Sequence, residues 1–122
     1  MGRGVKTIRQ GDIVLIDFAP ALGHEQKGKR PAIVISRAMF AEKTNQLIVC
    51  PITTKKKFFP TRVPLNPNAK TQGYIICDHI KTIDIEARKP VFLERADEAT
   101  LDKVLEIVAA FIAKEEFESG GV

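Results

Sequence analysis

The chain has 122 residues, of which 44% are hydrophobic and 28% are charged, and its formal net charge is +4. This length suits one domain with a single core, and no apolar run approaches the roughly 20 residues that span a bilayer. We therefore expect one domain over residues 1–122, with frayed ends at about 1–8 and 117–122 and no membrane association. The chain starts without the apolar segment of a signal peptide, and its two cysteines lack C-x-x-C spacing. Both features favour a reducing, cytoplasmic location.

The charge is unevenly distributed along the chain. Residues 1–93 carry 16 Lys and Arg against 7 Asp and Glu, whereas residues 94–122 carry 3 against 8. The body of the domain is therefore basic and its C-terminal segment acidic. A basic body favours a polyanionic partner, with nucleic acid as the first candidate.

Five short runs rich in Ile and Val are bounded by Gly, Pro, Asn or charged residues. Such runs predict buried strands, because branched side chains fit a pleated surface. The predicted strands are GDIVLIDFAP (11–20), PAIVIS (31–36), LIVCPITT (47–54), RVPL (62–65) and GYIICDHIKTIDI (73–85). Cys50 and Cys77 fall inside two of them and are predicted to be small core residues.

The C-terminal segment 97–116 predicts a long helix, with Asp97 as its N-cap. Its apolar residues recur at steps of three and four and form one stripe. The stripe consists of Leu101, Val104, Leu105, Val108, Phe111 and Ile112. Residues 37–45 predict one helical turn. Short strands before a terminal helix predict an α+β domain with a small, strongly bent antiparallel sheet or a partly open barrel.

The loop GHEQKGKR, residues 23–30, concentrates chargeable groups directly before a strand. These groups are His24, Glu25, Lys27, Lys29 and Arg30. Pro31 disfavours a helical conformation for Arg30, which makes Arg30 the last loop residue before the strand. A planar guanidinium held there suits bidentate phosphate recognition. The alternative is a surface ion pair between Arg30 and Glu25.

Two further groups of polar residues lie beside strand ends. Thr53 and Thr54 end one strand, and cations and aromatic residues follow in the order Lys55, Lys56, Lys57, Phe58, Phe59 and Arg62. Hydroxyls beside cations bind phosphate oxygens and exposed aromatic rings stack on unpaired bases, although a solvated loop and a core aromatic pair fit the same residues. The segment 77–84 adds Asp78, His79 and Lys81, in which Asp78 and Lys81 also fit a surface ion pair. The spacing of His and Cys matches no metal site, so we expect no metal and no cofactor.

The order of these segments resembles the MazF/PemK (Kid) toxins of bacterial toxin–antitoxin modules. The resemblance runs from about Gly11 to Ile112, and the E-Q-x-G-x-R-P pattern from Glu25 to Pro31 is its most specific part. It implies a small SH3-like antiparallel β-barrel with a C-terminal helix, usually as a homodimer. It also implies a sequence-specific, metal-independent endoribonuclease that cuts single-stranded mRNA and is inhibited by a cognate antitoxin with an acidic tail.

The resemblance also implies roles for individual residues. Arg30 matches the catalytic Arg of the family, Thr53 its catalytic Thr, and Glu25 the Glu of its loop pattern, our candidate general base. A Kid-like branch uses His, Arg and Asp instead; His24 and Asp78 match two of these positions, but the position of the Arg is Ile76. We therefore expect Arg30 and Thr53 to form the catalytic core. The remaining RNA-contacting residues are expected to be His24, Lys29, Thr54, Lys55, Lys56, Lys57, Arg62, Asp78 and Lys81.

Two other classes of function remain open at this point. A non-enzymatic gyrase poison of the CcdB type shares the fold, but the aromatic C-terminal tip on which such poisons rely is replaced here by SGGV. A non-catalytic module that binds single-stranded RNA is compatible with the basic body and the Phe58–Phe59 pair.

Overall fold

The computed structural model describes residues 7–18, 28–56 and 59–116. Seven strands and three helices follow in the order β1 (Asp12–Asp17), β2 (Lys29–Val34), α1 (Ala38–Thr44), β3 (Gln46–Thr53), β4 (Arg62–Pro64), β5 (Tyr74–Ile76), β6 (Lys81–Asp84), α2 (Ile85–Arg88), β7 (Val91–Arg95) and α3 (Glu98–Ile112). Within those ranges, no helix combines the length and the apolar character needed to span a bilayer.

The strands form one antiparallel sheet in the order β4-β5-β3-β2-β1-β7, and β6 pairs with β3 off this path. The predicted α+β architecture, an antiparallel sheet with a C-terminal helix, is confirmed. Among the described residues the path from β4 to β7 stays open, so the pairings do not close a barrel.

Each face of the sheet carries its own apolar cluster, because successive residues of a strand point to opposite faces. The first core lies between the sheet and α3 and includes Ile13, Ile33, Cys50, Ile52, Ile75, Leu101 and Val104. The second core lies on the opposite face and includes Ile8, Val14, Ile16, Ala32, Val34, Val49 and Ile83. Both cysteines are fully buried, as predicted.

The predicted strand over residues 73–85 is wrong in one respect, because the chain forms two strands and a turn there. β5 pairs with the end of β3, whereas β6 pairs with its beginning, from Gln46 to Val49. The turn at residues 77–80 carries the chain from one partner segment of β3 to the other. Ile85 then begins α2, whose N-cap Asp84 accepts a hydrogen bond from the backbone N–H of Ala87 at 2.8 Å.

Strand β7 was not predicted from the sequence. It pairs with β1 through a register irregularity between Ile13 and Val14. Its side chains alternate between exposed and half-buried, from Val91 to Arg95. None of them is fully buried, so the apolar signal that marks the other strands is weak here.

Helix α3 begins after its predicted N-cap, Asp97, but ends at Ile112, four residues before the predicted end. Leu101, Val104 and Val108 of the predicted stripe are buried. Phe111 is 46% exposed and Ile112 is 74% exposed, so the last turn lies outside the core of the single chain. Ile8, which the sequence predicts within a frayed N-terminal segment, is buried in the second core.

Candidate active site

Arg30 is the second residue of β2, so it belongs to the sheet and not to the preceding loop as the sequence predicts. The strand begins early because Lys29 and Arg30 pair with Asp17 and Ile16 of β1. The Arg30 side chain is half-buried, and among the described residues no hydrogen bond or ion pair is found for it. A guanidinium whose backbone belongs to a paired strand is held in a fixed position, which suits recognition of a phosphate.

Thr53 is the last residue of β3 and lies opposite Tyr74 of β5. Its Oγ1 accepts a hydrogen bond from the backbone N–H of Lys55 at 3.1 Å. This local turn ends the strand and orients the hydroxyl. The hydroxyl keeps its own proton available for donation to a substrate oxygen.

The register of β2 and β3 relates the positions of Arg30 and Thr53. The pairing ends with Ala32 opposite Pro51, because Pro31 has no N–H to donate to the next rung. Arg30 lies two residues before Ala32 and Thr53 lies two residues after Pro51, so both residues lie just beyond this pairing, at the same end of the two strands. Residues two positions apart in a strand project from the same face of a sheet, so the guanidinium of Arg30 and the hydroxyl of Thr53 lie at the same end of neighbouring strands and on one face.

Gly73 sets how closely β5 approaches Thr53, a role that the sequence pattern did not predict. Its φ is +126°, and a Cβ atom at this position would lie 2.3 Å from the carbonyl oxygen of Thr53. Only glycine allows this approach without a shift of the backbone. A lone Gly before a predicted strand was the available signal, but close backbone contact cannot be read from one residue.

Arg62, a predicted RNA contact, is tied to the segment that follows β3. Its Nη1 donates to the carbonyl oxygen of Lys55 at 3.4 Å, and its guanidinium lies 5.3 Å from the centroid of the Phe59 ring. Phe59 is 49% exposed, so this half of the aromatic pair is not a core residue. Arg62 therefore supports the loop that carries Lys55 and Lys56, both of which are exposed.

Asp78 and Lys81 flank the turn between β5 and β6. Asp78 is exposed and lies 4.0 Å from His79 Nε2, whose side chain is 57% exposed. The Lys81 Nζ lies 5.3 Å from the centroid of the Phe18 ring at the end of β1, close enough for a cation–π contact. Ile76, at the position where a Kid-like site has its Arg, is a buried residue of β5.

Three predicted site residues, His24, Glu25 and Lys57, lie outside the described residues, as does Phe58. Of the other predicted contacts, Lys29 is the exposed first residue of β2 and Thr54 is exposed directly after β3. The structure thus positions the predicted pair, Arg30 and Thr53, with basic residues on both sides of it.

The two cysteines are unsuited to act as nucleophiles. Burial raises the pKa of Cys50 to about 12, with smaller contributions from Cys77 and Asp78. Burial, and then Asp78, raise the pKa of Cys77 to about 11. Because the thiolate is the reactive form of cysteine, both residues are inert near neutral pH.

Comparison with known proteins identifies the family to which this site belongs. Residues 9–112 match the model of the PemK-like, MazF-like toxins of type II toxin–antitoxin systems. The chain belongs to this family. The resemblance inferred from the sequence is therefore confirmed.

Curated relatives of this PemK/MazF-like toxin carry names of endoribonucleases. The chain is 35% identical over 102 residues to endoribonuclease PemK of Escherichia coli, covering 80% of this chain and 77% of PemK. It is 36% identical over 107 residues to the endoribonuclease toxin ChpB of E. coli K12, covering 82% of this chain and 90% of ChpB.

Solved structures of MazF share the fold of this PemK/MazF-like toxin. MazF from Deinococcus radiodurans superimposes with a TM-score of 0.77 at 30% identity, covering 88% of this chain and 97% of that MazF. A MazE–MazF structure from the same organism gives a TM-score of 0.80 at 30% identity, with the same coverage.

Proposed function

We propose that this endoribonuclease toxin cuts single-stranded RNA at specific sequences without a metal ion, by attack of a ribose 2′-OH on the adjacent phosphorus. A new O2′–P bond forms and the P–O5′ bond breaks, which leaves a 2′,3′-cyclic phosphate and a 5′-OH end. The proton of the 2′-OH passes to a base, and a proton is delivered to the departing O5′. DNA lacks the 2′-OH and is therefore not a substrate.

The observation that carries this proposal is the placement of Arg30 and Thr53 on one face, at the same end of β2 and β3. The phosphorus gains negative charge as the fifth oxygen bonds to it. The Arg30 guanidinium stabilises that charge with paired N–H donors, and the Thr53 hydroxyl donates to a non-bridging oxygen. The backbones of both residues belong to paired strands, so little rearrangement of either side chain accompanies the reaction.

The proton transfers require groups besides Arg30 and Thr53. By resemblance to the family, Glu25 takes the proton from the 2′-OH, and His24 contacts the RNA or supplies the proton to O5′. His24 is suited to that supply, since histidine is the side chain that ordinarily titrates near neutral pH.

Further polar and basic residues form the path that we propose for the RNA strand. They are Lys29, Thr54, Lys55, Lys56, Lys57, Arg62, Asp78 and Lys81. Cations along the path neutralise backbone phosphates and make the affinity for RNA fall as salt rises. Phe59 offers an exposed ring on which an unpaired base stacks.

A type II module pairs its toxin with a cognate antitoxin, and solved MazE–MazF complexes contain the corresponding partner. We propose that the antitoxin of this chain inhibits it by placing an acidic tail in the basic RNA path. RNA and antitoxin then exclude each other. We further propose that the toxin acts as a homodimer.

The proposal is tested by incubating the purified toxin with a long RNA of mixed sequence and with DNA of the same sequence, in excess EDTA. Mapping the product ends should show cuts at one short motif, cyclic phosphate at the 3′ ends, 5′-OH ends and intact DNA. Arg30→Ala should lower the rate roughly 10²–10³-fold. Lys103→Ala, an exposed change on α3, is the control and should cut at the normal rate. Full activity of Arg30→Ala, or activity that disappears in EDTA, would refute the mechanism.

A further inference from the structure

A second basic site lies at the other end of β2 from Arg30. It is a cleft of about 320 Å³ lined by Arg9, Gln10, Arg37, Ala38, Met39 and Arg95. Arg37 follows Arg30 by seven residues, which corresponds to about 20 Å of extended chain. The cleft is therefore separate from the candidate active site, and an inference about it does not depend on the proposed RNA cleavage.

Arg95 forms a fixed wall of the cleft. Its Nη1 donates to the carbonyl oxygen of Gln10 at 2.8 Å and to Asp12 Oδ1 at 3.3 Å, and its Nη2 lies 3.6 Å from Glu98 Oε1. The Gln10 side chain is fixed as well, because Nε2 donates to the carbonyl oxygen of Ile35 at 2.8 Å. The charge of Arg95 is thus largely compensated by two carboxylates.

Arg9 and Arg37 supply the remaining positive charge of the cleft. Both are exposed, and neither guanidinium bonds to another residue in the part of the chain that the structure describes. Two guanidinium groups that converge on one cleft form a site for an anion, and their planar forks match phosphate oxygens. A third charged group, Glu98, has a side chain that is 77% exposed and engaged with Arg95.

The rest of the lining indicates a ligand larger than a single ion. A volume of about 320 Å³ lies at the lower end of the range for small-molecule sites. Met39 is 46% exposed, and its thioether packs well against the edge or face of an aromatic ring. We propose that this cleft binds nucleotides, with the phosphate on Arg9 and Arg37 and the base against Met39.

The phosphate has two possible sources, a free mononucleotide or the backbone of an RNA strand that extends beyond the active site. Phosphate binding at the cleft is tested by titrating the full-length protein with AMP and with inorganic phosphate. The backbone amide signals of Gln10, Ala38 and Met39 are followed by NMR. These amides should shift in the normal protein. They should also shift in Arg30→Ala, in which the candidate active site is impaired.

The Arg9→Gln/Arg37→Gln double variant should bind AMP at least about ten-fold more weakly, since two charged hydrogen bonds are lost. The control is Lys103→Gln/Lys114→Gln, which removes the same charge from exposed positions at and beyond α3 and should bind normally. The proposal would be overturned if the arginine double variant bound AMP normally, or if the amide signals at the cleft did not shift in the titration. A cleft that responds only to an acidic peptide would overturn it as well.

A short RNA added to Arg30→Ala then identifies the source of the phosphate. Binding at the cleft at least ten-fold tighter than that of AMP assigns it to the RNA backbone, and equal binding assigns it to free nucleotide. Failure of RNA cleavage in the normal protein leaves these titrations unaffected, so the two proposals fail independently.

Discussion

A Cβ atom added to Gly73 would lie 2.3 Å from the carbonyl oxygen of Thr53. The backbone of a residue with no proposed chemistry thus determines where the end of β3 lies. Thr53 is one member of the proposed catalytic pair, so Gly73 helps to fix the position of that member.

Gly73→Ala should therefore lower both stability and activity. The added methyl group must displace the backbone of Thr53, and alanine is also strained at a φ of +126°. We expect the free energy of unfolding, measured by urea denaturation, to fall by about 3 kcal/mol. Gly28→Ala is the control, because Gly28 has a φ of +88° but, its chain neighbours aside, no atom of the described residues lies within 4 Å of the added Cβ. It should cost about 1 kcal/mol from backbone strain alone, and equal losses would contradict the close-contact argument.

Replacements of Thr53 should distinguish the effect of its hydroxyl on the cleavage rate from the effect of its packing on stability. Thr53→Val keeps the branched shape and removes the hydroxyl, so the rate of RNA cleavage should fall about 10²–10³-fold. Stability should change by less than about 1 kcal/mol, because Lys55 is exposed and its backbone N–H can bond to water instead. Thr53→Ser should recover most of the rate. Cleavage at the normal rate by the valine variant would exclude a catalytic hydrogen bond from this hydroxyl.

The Arg95–Asp12 pair should be important for stability. Asp12 is fully buried, and Arg95 donates to its Oδ1 at 3.3 Å, while Oδ2 accepts from the backbone N–H of Arg9 at 2.8 Å. Arg95→Ala removes a charge partner of a buried carboxylate, which should cost about 2 kcal/mol in the free energy of unfolding. Glu98→Ala removes the exposed partner of the same arginine and should cost less than about 0.5 kcal/mol. A similar loss of stability in both variants, measured by urea denaturation, would show that the buried pair stabilises the fold no more than the exposed pair.

The N-cap of α3 should make stability depend on pH in the acid range. The hydrogen bond from the side chain of Thr100, at 2.6 Å, is the main cause that holds the pKa of Asp97 below its usual value of 3.8. A carboxyl whose pKa is lowered on folding adds stability that is complete above the unfolded-state pKa. That stability is lost as the pH falls through the folded-state pKa.

Asp97→Asn keeps an acceptor at the cap but cannot ionise. Its stability should fall below that of the normal protein at pH 7, and the difference should shrink as the pH falls below about 3.8. Asp97→Ala removes the acceptor as well and should lose about 1 kcal/mol at pH 7. Urea denaturation at pH 7 and at pH 3 measures both. If the difference in stability between Asp97→Asn and the normal protein does not change with pH, the ionised carboxylate of Asp97 is not the source of the stabilisation.

Arg30 and Thr53 are candidates because their signals in the sequence are local. The loop pattern around Arg30 and the Thr53 strand end were both recognised from adjacent residues. The position of Arg30 on the strand itself was not, because it depends on pairing with Ile16 of β1. The role of Gly73 was missed for the same reason, since its contact is with the backbone of a residue 20 positions away.

The sequence by itself determined the buried strands, the cap and buried face of α3, and the membership of the toxin family, because apolar runs, capping residues and loop motifs act over short stretches of chain. The tertiary structure decided which strand ends meet. Residues 73–85 form two strands that pair with different segments of β3, and β7 pairs with β1. Arg9, Arg37 and Arg95 line one cleft. Those outcomes depend on pairing register and on packing between distant residues, and the local sequence pattern predicts neither.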